Sequence, residues 1–190
     1  MIAQAVSRIR GGVVEKVVLA RDVLAETDTV IDPRRLVEHL SRGYQRCWTY
    51  LVDGMVGATP EMLVRTEGGL ATSRVLAGTI RRTSDDDQDL ALAASLSQSS
   101  KDLSEHEFAV RSVAEALSPF CSGMHVPDSP YVLSLPNVLH LATDVTAVCS
   151  AGVTSLGLAA ALHPSAAVCG TPTDKARALI ADLEEMDRGR

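Results

Sequence analysis

Aromatic side chains are scarce in this 190-residue chain: one Trp, three Tyr and two Phe amount to 3% of it. Platforms that stack bases or sugars are hard to build from so few rings, so core volume must come from Leu, Val and Ala. Grouped Lys and Arg are also lacking, and the formal net charge is −6. That balance excludes nucleic acid as the main partner, because neutralising phosphates takes clustered cations. The four cysteines, Cys47, Cys121, Cys149 and Cys169, include no CxxC pair. Neither a zinc ribbon nor a disulfide framework is therefore expected, and a reducing cytoplasm fits. Met1 to Gly12 has no apolar stretch of the secretory kind, and His163 and Pro164 cut off the apolar run that begins at Leu156. The expectation is a soluble protein without a membrane partner. GxGxxG, Walker, GxSxG and HExxH patterns are all missing, which removes the usual nucleotide cradles, the serine-hydrolase elbow and the zinc-peptidase helix.

What is present is material for a core: 46% hydrophobic against 22% charged residues, enough to exclude disorder as the main state. The length suits one domain. EKVVLA at Glu15–Ala20 is a β-branched run too short for a helix and predicts a buried strand with Lys16 at its mouth. Leu36, Val37 and Leu40 have helical spacing, and CWTYLV at Cys47–Val52 returns to strand character. Gly54–Pro60 reads as turn-rich, Glu61 opens a short strand, MLVR, and Glu67, Gly68 and Gly69 predict a hairpin into a further strand ahead of Leu76–Thr79. SDDD at Ser84–Asp87 is a helix start that favours the N-terminal dipole, with a helix to about Leu96 and a second from Lys101 to Leu117. A strand after Pro136, an Ala-rich helix over Thr154–Leu162, and a last helix with Thr173 as N-cap complete the outline. Strands precede helices in two blocks, so the fold class is α+β with a layered sheet and helices.

Several polar residues could carry chemistry, each with a plainer alternative. A desolvated Lys16 could act as a base, or it could be a strand-end lysine that snorkels to water. Glu61 could be a carboxylic acid kept protonated by burial, or an exposed carboxylate. Asp102 and Glu105 lie three residues apart on one predicted helix and could share a divalent cation, or form a solvated face. His106 and His140 could be bases or ligands, or satisfied histidines.

Six segments in their order add to this: KVVLAR at Lys16–Arg21, GATPEMLV at Gly57–Val64, LAGT at Leu76–Thr79, KDLSEHEFAV at Lys101–Val110, HLATDV at His140–Val145 and LHPSAAVCGTP at Leu162–Pro172. Together they resemble the chorismate-utilising enzymes, most nearly the isochorismate synthases of siderophore and menaquinone synthesis. The resemblance implies an isomerase that converts chorismate to isochorismate by adding water and losing a hydroxyl. It implies Lys16 as the general base, Glu61 as the general acid, Glu105 as a magnesium ligand with Asp102 one turn earlier, and Gly78, Thr79, His140, Ala167, Val168 and Gly170 lining the substrate site. Mg2+ is the implied cofactor, chorismate the small-molecule partner, and a cytoplasmic monomer the implied state at full length. Members that add ammonia resemble this chain less at Lys16. A salicylate synthase-like enzyme is the nearest alternative, and a silent remnant domain is the alternative from another class.

The chain departs from the pattern in two places. Relatives read HPTP where this one has His163, Pro164, Ser165 and Ala166, which keeps a small hydroxyl residue. They also continue past the position of Arg190 with further substrate and magnesium residues, and they begin earlier than Met1. The expectation is the central part of a single chorismate-binding domain, residues 1–190, incomplete at both ends and with little activity alone.

Overall fold

The computed structural model describes residues 1–83 and 85–189; Ser84, the first residue of the SDDD signal, and Arg190 lie outside the described residues. Two units are distinguished: unit 1 holds residues 1–26 and 162–190, and unit 2 holds residues 27–161.

In unit 1, helix α1 (Ile2–Arg10) precedes strand β1 (Lys16–Val17). The helix was not among the expected elements, although Ile2, Ala5, Val6 and Ile9 have helical spacing; Ala5 is buried. The expected strand Glu15–Ala20 shrinks to two paired residues. Its partner is Gly170–Thr171. Single bonds flank the pair, Glu15 N to Thr171 O at 2.8 Å and Val18 N to Cys169 O at 2.8 Å.

Unit 2 opens with helix α2 (Pro33–Gly43), capped by Asp32 with Pro33 at its first position. Strand β2 (Trp48–Val52) turns back into β3 (Met55–Thr59) in full antiparallel register. The stretch expected to be turn-rich is thus a strand. Asp53 and Gly54 both have positive φ, 49° and 83°, and Asp-Gly there is the signal for a two-residue hairpin. Strand β4 (Met62–Glu67) turns through Gly68 and Gly69 into the long β5 (Leu70–Arg81).

Helix α3 (Asp86–Gln98) is capped by Asp85, and α4 (Ser100–Leu117) by Ser99. Buried Asp89 ties the start of α3 to the end of β5 by accepting from Arg82 Nε at 2.6 Å and from Thr83 N at 2.8 Å. The Thr83 N–H, helped by Arg82 and opposed by burial, holds that carboxyl below its ordinary range. Strands β6 (Cys121–His125) and β7 (Tyr131–Ser134), which the sequence pattern did not announce, both pair with β8 (Val138–Cys149). The sheet runs β4-β5-β8-β6, with β7 also on β8. Its core gathers Leu96, Leu139 and Leu141 with Ile80, Leu92, Leu103 and Val132, the aliphatic filling that the lack of aromatics required.

The Ala-rich helix α5 (Ser155–Leu162) closes unit 2 and leads back into unit 1. There β9 (Gly170–Thr171) and α6 (Thr173–Leu183) follow. The N-cap of α6 is Pro172, not Thr173, and no side chain caps it. Val14, Cys169, Ala176, Leu179 and Ile180 form the core of unit 1. No helix among the described residues is long and apolar enough to cross a membrane.

Candidate functional site

The six segments sort into two groups. KVVLAR and LHPSAAVCGTP belong to unit 1, and the other four belong to unit 2.

Within unit 2, the four meet on consecutive residues of β5. The register of β5 against β8 slips by one residue between Ala77 and Thr79, so Gly78 is the extra residue of a bulge, with φ of +77°. Leu76, just before it, interacts through its backbone with the Glu61 carboxyl of GATPE. The carbonyl of Ala77 accepts a hydrogen bond from His106 Nδ1 at 3.2 Å. A Cβ on Gly78 would lie 3.2 Å from Asp102 Cβ and 3.1 Å from Leu141 Cδ1. Thr79 Oγ1 is 2.9 Å from His140 Nδ1. Glycine is required at 78 both by its φ and by this close approach of α4.

Burial pushes the Glu61 carboxyl above its usual range, against the opposing pull of the Leu76 backbone bond. A half-buried carboxylic acid that holds its proton to higher pH is suited to donate one. His106 is nearly fully buried at 3% exposure. A carbonyl can only accept, so Nδ1 carries the proton toward Ala77, and Nε2 accepts from Thr143 Oγ1 at 2.8 Å. Both nitrogens are satisfied, and burial lowers the ring's proton affinity, with the Ala77 bond opposing. His140 is lowered in the same way, opposed by a bond with the Gly78 backbone. The two histidines therefore grip three successive residues of the bulge. A cleft of about 310 Å³ lies beside His140, with Tyr44, Ala58, Pro60 and Asn137 among its walls. Asp144 of HLATDV has a structural partner, since Arg74 grips it through Nε at 2.7 Å and Nη2 at 3.0 Å.

The metal candidates differ from one another. Ser99 caps α4: the Asp102 N–H donates to Ser99 Oγ at 3.3 Å, and the Ser99 hydroxyl donates to the Asp102 carboxylate. Glu105, half-exposed, pairs with Lys101 Nζ at 3.7 Å. Among the described residues, no three His, Cys, Asp or Glu gather to hold a cation. Magnesium uses one or two carboxylates and completes its shell with water and ligand oxygens. Glu105 fits that demand, and Asp102 does so only by giving up the bond from the Ser99 hydroxyl.

In unit 1, Lys16 faces Thr171 in the β1–β9 pair. Gly170 is buried with φ of +144°, and a Cβ there would lie 2.2 Å from the Lys16 carbonyl oxygen and 2.8 Å from Ala176 Cβ. Ala167 N donates to Ser165 Oγ at 3.3 Å, and Val168 is exposed. A residue that the motif reading passed over organises this region. Arg188 donates to Val18 O at 2.8 Å and Val168 O at 3.0 Å, and pairs with Glu184 through Nε at 2.7 Å. Glu184 in turn accepts from Ala20 N at 2.7 Å. The carboxyl of Glu184 is held below its ordinary range chiefly by Arg188. Glu184 and Arg188 lie beyond the end of α6 at Leu183, so no helical pattern announces the pair.

Comparison with known proteins follows the same lines. The family model described as "Chorismate binding enzyme" matches residues 1–190. Isochorismate synthase DhbC of Bacillus subtilis is 38% identical over 200 residues, covering 99% of this chain and 50% of that protein. Isochorismate synthase EntC of Escherichia coli K12 is 36% identical over 193 residues, covering 99% and 49%. A crystal structure described as a 2,3-dihydroxybenzoate-specific isochorismate synthase, DhbC of Bacillus anthracis, superposes with a TM-score of 0.91 at 36% identity, covering 98% of this chain and 52% of that one. Anthranilate synthase component I of Streptococcus pneumoniae shares the fold at a TM-score of 0.80 and 24% identity. The chain spans about half the length of the curated relatives it matches.

Proposed function

We propose, from the premise that this chain belongs to the chorismate-binding enzyme family, that its residues serve the isochorismate synthase reaction, chorismate to isochorismate. The observation that carries the reading is the convergence of three segments on the fourth, Leu76–Thr79, with Glu61, whose proton affinity burial raises, at its head. The names of the relatives, DhbC and EntC, support the same reaction.

In this reading water attacks one ring carbon of chorismate while a hydroxyl departs from another. Lys16 Nζ takes the proton from the attacking water, and Glu61 gives its proton to the departing hydroxyl, which leaves as water. One group must accept as the other donates, and burial of Glu61 prepares the donor. His140 and Thr79 orient the ring beside the cleft, held by the bulge that His106 pins. Glu105 would hold magnesium, which when bound supplies positive charge to offset the substrate's carboxylates against an acidic protein. Ala167, Val168 and Gly170 shape the backbone next to the strand of Lys16.

The test joins this chain in frame to the half of Bacillus subtilis DhbC that it does not match. The chimera is given chorismate and magnesium, and products are separated by chromatography. Isochorismate is expected. Salicylate as the product would move the assignment to a salicylate synthase, and a folded chimera that leaves chorismate untouched would refute the proposal.

A further inference from the structure

Cys121 and Cys149 lie far apart in sequence and carry no motif, yet the sheet sets them directly opposite each other at the end of the β6–β8 ladder. The hydrogen bonds around them identify the kind of pair. Ser150 N donates to Phe120 O at 2.9 Å, so the bond falls on the residues just outside the pair. Cys149 directs its own N–H the other way, to Gly69 O at 2.8 Å. The two cysteines therefore occupy a non-hydrogen-bonded position, where Cα atoms approach to about 4.5 Å and side chains stand closest on one face. Both thiols are free and half-buried, and they interact directly with each other. Strand β6 ends the strand order of the sheet.

We propose that Cys121 and Cys149 form a dithiol modification site that exchanges with small-molecule disulfides and closes to a cross-strand bond between β6 and β8. One cysteine, as thiolate, attacks a sulfur of the oxidant, forming a mixed disulfide and releasing the oxidant's first thiol. The second cysteine then attacks the protein sulfur of that mixed disulfide and releases the second thiol. Two protein thiols are oxidised to one disulfide, the oxidant's disulfide is reduced to two thiols, and both protons leave with the released thiols. The second step is intramolecular and needs no strand to move far, because the pair spacing already lies within the range of Cα separations that disulfides span. Burial, with a smaller contribution from Cys149, pushes the Cys121 thiol up. Closure is therefore slow at neutral pH and quickens as pH rises. Cys47 and Cys169 have no cysteine opposite them among the described strands.

The experiment incubates the full chain with glutathione disulfide, quenches with acid, alkylates the remaining thiols and maps cross-links by mass spectrometry, with a parallel sample in denaturant. Under native conditions the Cys121–Cys149 link should exceed every other pairing by at least about tenfold, reflecting the high effective concentration of opposed thiols. It should be lost in denaturant and reversed by dithiothreitol. Cys121→Ser and Cys149→Ser should each abolish it, whereas Cys47→Ser and Cys169→Ser should leave it. The proposal is overturned if both cysteines end as separate glutathione adducts, if they stay alkylatable, or if the native and denatured samples give the same mixture of pairings.

Discussion

Units 1 and 2 hold their candidate catalytic residues by opposite means. Glu61 belongs to a unit whose β5 and β8 pair along nearly their whole lengths, and three sequence segments close on the four successive residues of a fourth there. Lys16 belongs to a unit whose ladder is two residues long, so its strand depends on side chains: Arg188 fastens Val18 and Val168, and Glu184 fastens Ala20. Where backbone pairing is extensive, a bulge supplies the irregular geometry a site needs. Where it is sparse, a polar clasp does the same. A glycine marks each solution, Gly78 under α4 and Gly170 against the Lys16 carbonyl.

Substitutions in the two units should separate these devices. The largest effect is expected from Lys16→Ala in the DhbC chimera, a loss on the order of 10²- to 10⁴-fold in turnover with chorismate binding largely retained, because a general base acts only in the transition state. Steady-state kinetics with a separate binding measurement would check it, and an unchanged rate would remove Lys16 from the mechanism. Arg188→Ala is next. It strands the Glu184 side chain, only 2% exposed, without its cation. The cost should be about 3 kcal/mol, the low end for a buried pair since Arg188 is itself a third exposed. Chemical denaturation measures it. That cost should shrink as pH falls, because a carboxyl held low by its partner contributes stability at higher pH and loses it on protonation. Gly78→Ala should cost about 1–3 kcal/mol from its positive φ and the crowding by Leu141 and Asp102. Its accompanying loss of turnover would show that the bulge geometry matters. Smallest is Glu105→Gln, expected to need at least about tenfold more magnesium for half-maximal rate while a saturated enzyme still turns over. An unaltered magnesium titration would dismiss Glu105 as the ligand.

The legible parts of the fold are those set by local pattern. Asp-rich residues ahead of LALAASL, the Val-rich run after Pro136, and the Gly68–Gly69 turn all produced the expected elements. Strand β6, CSGMH, has neither alternation nor β-branched residues and exists because β8 offers it a partner. The hairpin turn at Asp53–Gly54 and the Ser99 N-cap carried signals of their own, yet a turn-rich reading and a metal reading overlaid them. In the site, residue types were visible in the chain, but register was not. Nothing local says that Thr79 meets His140, which a one-residue slip of β5 on β8 decides, or that Ala77 meets His106, which the packing of α4 on β5 decides. The pairing of Cys121 with Cys149 was hidden for the same reason, and the clasp of Arg188 was hidden because it reaches Val18, 170 residues earlier in the chain.

The proton of Glu61 tests the account most directly. Its side-chain carboxyl carbon can be titrated by NMR in the full chain with labelled glutamate, and Glu61→Gln identifies the resonance. The midpoint should lie above that of an ordinary glutamate, since burial outweighs the Leu76 bond. Stability should follow the same sign. A raised carboxyl favours the fold at low pH and loses that contribution as pH rises through its native midpoint, so Glu61→Gln should be relatively more stable at neutral pH than in acid. A midpoint at or below the ordinary range, with no pH-dependent difference from Glu61→Gln, would contradict the assignment of Glu61 as the proton donor.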